Sequence, residues 1–153
     1  MNKVVFQKVE DFIEREGCQL GVSDWFVVSQ EVINHFAGAT QDYQWIHVDV
    51  NRAQIESPYG TTIAHGYLTL SLLPHLLDEI IEVKNLKHLV NYSVEKMVFK
   101  NIVPAGSKIR LTASLKSAKD LGNIVKANIQ CVFEIEGQDK PALEGSVIYL
   151  YYF

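Results

Sequence analysis

The 153-residue chain is short of the features that would mark an extracellular, membrane-embedded or nucleic-acid-binding protein. It has two cysteines, Cys18 and Cys131, far apart and without metal-ligand spacing, which reads as reduced thiols in an intracellular protein. Its nine glycines are spread singly, so there is no phosphate-cradling loop. The longest apolar tract, Leu68 to Leu77, is broken by Thr69, Ser71, Pro74 and His75, and residues 1–8 lack an apolar leader core. A cytoplasmic protein with no membrane partner is expected. Fourteen Lys and Arg against eighteen Asp and Glu leave a net charge of -4, and the basic residues form no cluster, so nucleic acid is excluded as a partner. What remains, 48% hydrophobic and 21% charged residues, is the composition of one globular domain over residues 1–153, able to form a core without staples.

Apolar positions Val4, Val5, Val9, Phe12 and Ile13 near helical spacing predict an N-terminal helix over residues 3–16, stopped by Gly17. Residues 23–29, with Trp25, Phe26, Val27 and Val28, predict a brief strand. Ser29 then precedes Val32, Ile33, Phe36 and Ala37, the pattern of a capped amphipathic helix ending near Thr40. The interval 41–62 is expected to be mostly loop, with one helical turn around Arg52 to Ile55. From His65 to Ile81 apolar residues cover most of the helical circumference, which predicts a buried helix bent at Pro74. Beyond Lys84, segments near 88–100, 107–118, 123–135 and 141–152 read as four long strands in a meander. A central apolar helix wrapped by a long antiparallel sheet is an α+β, hot-dog architecture. Its exposed edge strand would be covered by a second copy, so a homodimer or higher homo-oligomer is expected.

Proton-transfer groups concentrate in Gln41-Asp42-Tyr43-Gln44-Trp45-Ile46-His47, which is followed eighteen residues after His47 by His65-Gly66. A carboxylate and an imidazole five positions apart can act together if an irregular backbone lets Asp42 and His47 converge. Trp45 and Ile46 would give them an apolar setting, raising the pKa of the carboxylate and lowering that of the imidazole. The spacing alone favours a plainer reading, with Asp42 as a turn cap and His47 as a hydrogen-bonded loop residue. Gly66 adds a helix start whose free N–H could polarise a carbonyl, although a glycine there also permits close packing of helix on sheet. His65 is read as holding the helix start, and His65, Tyr67 and Ser71 as possible pocket lining. His47, Asp49 and His65 show no ligand spacing, so no metal is expected.

The stretches from Phe36 to Asp49 and from Gly60 to Leu68 resemble the hydratase motif and helix start of MaoC-like dehydratases, in the nodulation protein N-like branch where Gln44-Trp45-Ile46-His47 replaces the commoner Asn-Pro-Leu-His. Asn91-Tyr92 and the run from Val98 to Ser107 resemble that branch too, so the likeness spans roughly residues 20–150. The resemblance implies a hot-dog homodimer that reversibly adds water, syn, across a trans-2-enoyl thioester of coenzyme A or acyl carrier protein. It implies Asp42 and His47 as the catalytic pair and Gly66 as the thioester-oxygen donor, without a metal or redox cofactor. Gln41 stands where many members have glycine, and Pro74 where some hydratases have a serine. Two rival functions share the fold: a hot-dog thioesterase, which usually places a carboxylate on or near the central helix, and a non-catalytic acyl-thioester-binding protein. The first acidic residue after Gly66 is Asp78, which disfavours the thioesterase, and retention of both Asp42 and His47 disfavours the binder.

Overall fold

Four long strands dominate the computed structural model, which describes residues 3–153: β5 (His88–Phe99), β6 (Lys108–Asp120), β7 (Ile124–Ile135) and β8 (Leu143–Tyr152). With β2 (Gln19–Val22) and β3 (Phe26–Val27) they form one antiparallel sheet in the order β2-β6-β7-β8-β5, with β3 also on β6. The expected four-strand meander is therefore corrected. Only β6, β7 and β8 follow one another as hairpins, whereas β5 pairs with β8 at the far edge. Residues 100–107 carry the chain across instead of turning it back. They bond to the segment before the central helix, where Ala64 N–H donates to Val103 (2.8 Å) and Ala105 N–H to Thr62 (2.9 Å).

The N-terminal reading is corrected as well. Val4–Phe6 is a strand, β1, paired in parallel with β4 (Ile81–Val83), and the helix is confined to α1, Val9–Glu14. The Asp11 carboxylate accepts from the N–H groups of Gln7 and Lys8, closing the helix start at that point. The expected strand at 23–29 shrinks to the two-residue β3, and a separate strand, β2, precedes it at Gln19–Val22; between the two, the buried Ser23 hydroxyl accepts from Leu111 N–H at 2.9 Å. Helix α2 (Gln30–Thr40) begins as expected, with the Ser29 hydroxyl accepting from Val32 N–H. The interval after it is more helical than loop-rich composition implies, holding α3 (Trp45–Val48) and α4 (Val50–Glu56).

The central helix is two pieces, α5 (Gly66–Ser71) and α6 (Leu73–Ile80), broken at Leu72. Pro74 sits in the first turn of α6, where its missing N–H costs nothing, so the bend falls just before it. Leu68, Leu73, Leu76, Leu77 and Ile80 are buried in the same core as Ile109, Leu111, Ala127, Ile129 and Phe133 of the sheet. Each such side chain contributes about 1.5–3 kcal/mol of burial free energy. The helix is not enclosed all round, as the sequence reading had it. Tyr67, Ser71, Pro74, His75 and Asp78 face outward, and β5, which follows, is exposed along nearly its whole length.

A bulge in β5 aims its last residues. Lys96 takes φ 50° and the register to β8 shifts between Glu95 and Val98. The bulge brings Met97 so close to β8 that a Cβ at Gly145 would lie 2.6 Å from the Met97 Cα. Glycine at 145 thus makes room for the shift that places Phe99 opposite Leu143 and over the start of α5.

Candidate active site

Helix α2 ends with Gln41 in the left-handed region, φ 61°. This is the position at which glycine is usual in the family the sequence resembles, and the conformation explains that preference. A glutamine there costs roughly 1–2 kcal/mol of backbone strain, partly offset by its Nε2–H bond to the Gly38 carbonyl at 2.7 Å. The chain then turns at Asp42, whose carboxylate accepts from Gln44 N–H at 3.3 Å, and enters α3. This turn lets Asp42 and His47 converge. Asp49 is directed elsewhere and caps α4 by accepting from Arg52 N–H at 3.0 Å.

His47 is buried, and its Nδ1 lies 2.7 Å from the Ile63 carbonyl oxygen. A carbonyl only accepts, so Nδ1 carries the proton and Nε2 is left bare as a base. Gln30 fixes the backbone behind it: its amide N–H donates to the His47 carbonyl at 2.7 Å while its amide oxygen accepts from the Thr62 hydroxyl. Burial is the main cause of a lowered His47 pKa, helped by the charge of His65 and opposed by the Ile63 bond and the Asp42 carboxylate. The imidazole half of the expected apolar pair is thus present. The carboxylate half is corrected: the Asp42 side chain is 54% exposed, and Trp45 and Ile46 are themselves only half-buried.

His65, 3% exposed, does more than start a helix. Its ring stacks on that of His47, with centroids 3.8 Å apart and planes 26° from parallel, and its Nε2–H donates to the Asp42 backbone carbonyl at 3.0 Å. It makes no side-chain bond to the start of α5, which corrects the reading that it holds that helix. Among the described residues, Asp42, His47 and His65 bring potential ligand atoms within 4.8 Å of one another. The two imidazoles stack face to face, unlike the convergent in-plane donors of an ordinary tetrahedral zinc site.

Gly66 is the first residue of α5, so its N–H has no intrahelical acceptor. A Cβ there would lie 2.9 Å from the Phe99 ring, so close packing is one reason for the glycine. His47, Gly66, Tyr67, Phe99 and Val103 line one cavity of about 350 Å³. Tyr67 stands at its rim, 71% exposed and edge-on to Phe99. His65 is packed behind His47 rather than on the wall, and Ser71 belongs to a second cavity of about 330 Å³, shared with Leu70, Leu73 and Pro74. Sequence reasoning missed Gln30 and Phe99. Gln30, beside a helix cap, had only its polarity to signal a role, and Phe99 is aimed by a bulge that no motif announces.

The lowered His47 pKa links pH to stability. Below about pH 6.5 the unfolded chain binds a proton that the folded chain refuses, so stability falls as the pH drops through that value and levels out below the folded pKa. Denaturant midpoints measured from pH 8 to pH 5 should show this decline, and His47→Gln should flatten it. An equal decline in both proteins would place its source elsewhere.

A model of the MaoC like domain matches residues 11–133. Over 147 residues the chain is 46% identical to 3-hydroxyacyl-thioester dehydratase Z of Mycobacterium tuberculosis, covering 95% of this chain and 97% of that protein. It is 37% identical over 145 residues to nodulation protein N of Rhizobium leguminosarum bv. viciae, covering 94% and 90% respectively. The solved structure of a monoamine oxidase regulatory protein from Archaeoglobus superposes with a TM-score of 0.77 at 18% identity, over 99% of this chain and 98% of that one, so the hot-dog fold is shared at low identity. The motif around Asp42 and His47, the wrapped helix and these likenesses agree, and the chain belongs to the MaoC-like domain family.

Proposed function

We propose that the protein reversibly hydrates a trans-2-enoyl thioester to the (3R)-hydroxyacyl thioester, carried on coenzyme A or acyl carrier protein, and acts in the cytoplasm. The observation that carries the reading is the bare Nε2 of a buried His47 beside the Asp42 carboxylate, at the mouth of a cavity that begins at Gly66. The 46% identity to a protein named as a 3-hydroxyacyl-thioester dehydratase supports the substrate class.

A water bridging Asp42 and His47 gives a proton to His47 Nε2 as its oxygen bonds to C3. The C2–C3 π electrons move toward the thioester, whose oxygen accepts from Gly66 N–H, a contact worth about 3–4 kcal/mol in the transition state. The imidazolium then returns its proton to C2 on the same face, so one water is added, syn, and the enzyme is unchanged. Asp42 orients the water and stabilises the imidazolium. No redox step occurs and no cofactor enters. The acyl chain is assigned to the cavity of Leu70, Leu73 and Pro74 and, beyond Pro74 and Tyr149, to the next one, which reaches Leu77. Asp78, the carboxylate a thioesterase would need near the thioester, lies at that far end, exposed and paired with Lys3.

Loss of the conjugated enoyl-thioester absorbance tests this directly. His47→Gln and Asp42→Asn should each lower kcat/KM by roughly 10²–10⁴-fold, with no thiol released by the wild type. Full activity in both variants removes the mechanism, and thiol release supports a thioesterase instead.

The assembly proposed is a homodimer joined through β5. This strand is one edge of the sheet and exposes Tyr92 (57%), Val94 (55%), Val98 (48%) and Phe99 (48%), and Phe99 also lines the cavity of His47 and Gly66. Light scattering should give twice the chain mass, and Val94→Glu should give the chain mass with reduced hydration. A monomeric wild type contradicts this assembly.

A further inference from the structure

Resting on that reading of the site, we propose that His65 is a positioning residue, the single side chain that holds Asp42 and His47 at a fixed separation. The two belong to different local structures, the turn after α2 and the short helix α3, and no direct hydrogen bond joins their side chains among the described residues. His65 touches both. Its Nε2–H bonds to the Asp42 backbone carbonyl at 3.0 Å, and its ring face lies against the His47 ring at 3.8 Å. The geometry also fixes its protonation. Because the Asp42 carbonyl can only accept, Nε2 must carry the hydrogen, which leaves Nδ1 as a buried lone pair with no donor. An orphaned buried acceptor is unfavourable for stability alone, so something other than stability accounts for an imidazole here rather than an apolar ring.

His65 is itself clamped. Phe36 of α2 packs against it with ring centroids 5.1 Å apart, and its own carbonyl accepts from Leu68 N–H at the start of α5. The helix that begins at Gly66 is thereby coupled to both proton-transfer groups one residue upstream. A shift of the turn would move Asp42 relative to the bare His47 nitrogen, and displacements of about 1 Å cost on the order of 10²-fold in rate.

Two variants separate the functions of the ring. His65→Phe keeps an aromatic face on His47 but has no donor for Asp42, whereas His65→Gln places an amide N–H within reach of that carbonyl without the ring. For His65→Phe we expect kcat for enoyl-thioester hydration to fall roughly 10–100-fold while KM changes little. His65→Gln should recover most of kcat. Wild-type kcat in a folded His65→Phe, or no recovery in His65→Gln, overturns the proposal. Should His65→Phe not fold, a kcat in His65→Gln as low as in His47→Gln overturns it equally. If the wild type hydrates no enoyl thioester, the functional reading fails by itself. The positioning claim is then decided by the crystal structure of His65→Phe, in which the Asp42 carboxylate must lie displaced relative to His47 Nε2 and an unmoved pair would refute it.

Discussion

Everything proposed for the site depends on one hydrogen bond, from His47 Nδ1–H to the carbonyl of Ile63, 2.7 Å long and buried. Its net contribution to stability is about 0.5–1.5 kcal/mol, which is modest. Its chemical consequence is larger, because it decides which nitrogen is the base. The acceptor is held from both sides: Ile63 N–H donates to the Ile46 carbonyl at 3.1 Å, and Ile63 bridges to Pro104. The residue that sets the tautomer is therefore fixed by the helix carrying the imidazole and by the segment crossing from β5 to β6.

The remainder of the fold can be read as support for that bond. The sheet's inward faces bury α5 and α6, which anchors Gly66 and His65, and the crossing strand segment seats Thr62 and Ala64 just before them. Gln30 reaches back from α2 to close the arrangement. The β5 bulge, admitted by Gly145, lays Phe99 over the helix start. Burial acts on the two proton-transfer groups unequally. It lowers the His47 pKa, leaving the imidazole unprotonated and free to accept a proton, while Asp42 remains open to solvent.

Much of this was legible in the sequence, for identifiable reasons. Long alternating strands and a helix apolar over most of its circumference are strong periodic signals, and β7 alternates between half-buried and buried along its whole length. The Ser29 cap and the break near Pro74 followed from local chemistry, whereas the spacing of Asp42 and His47 alone pointed to a plain loop and their pairing came from the family resemblance. What failed was non-local. Whether β5 pairs with β6 or β8 depends on a crossing that turn residues do not encode. The first strand was hidden because Val4 and Val5 fit a helical period with Val9, Phe12 and Ile13, and only β4, distant in sequence, shows them as a strand. The exposure of Asp42 and the stacking of His65 on His47 depend on how three loops meet, which no spacing reveals. Gln41 is instructive: its place in the motif flagged the turn, and only the backbone showed that the position requires a left-handed conformation.

The central claim is that one imidazole, on one face of the substrate, both takes the proton from water and returns it to C2. Hydration of a trans-2-butenoyl thioester in D₂O measures this most directly. A single (3R)-hydroxy product is expected, with one deuterium at C2 on the same face as the new hydroxyl. Anti addition, or deuterium distributed over both C2 positions, would contradict it.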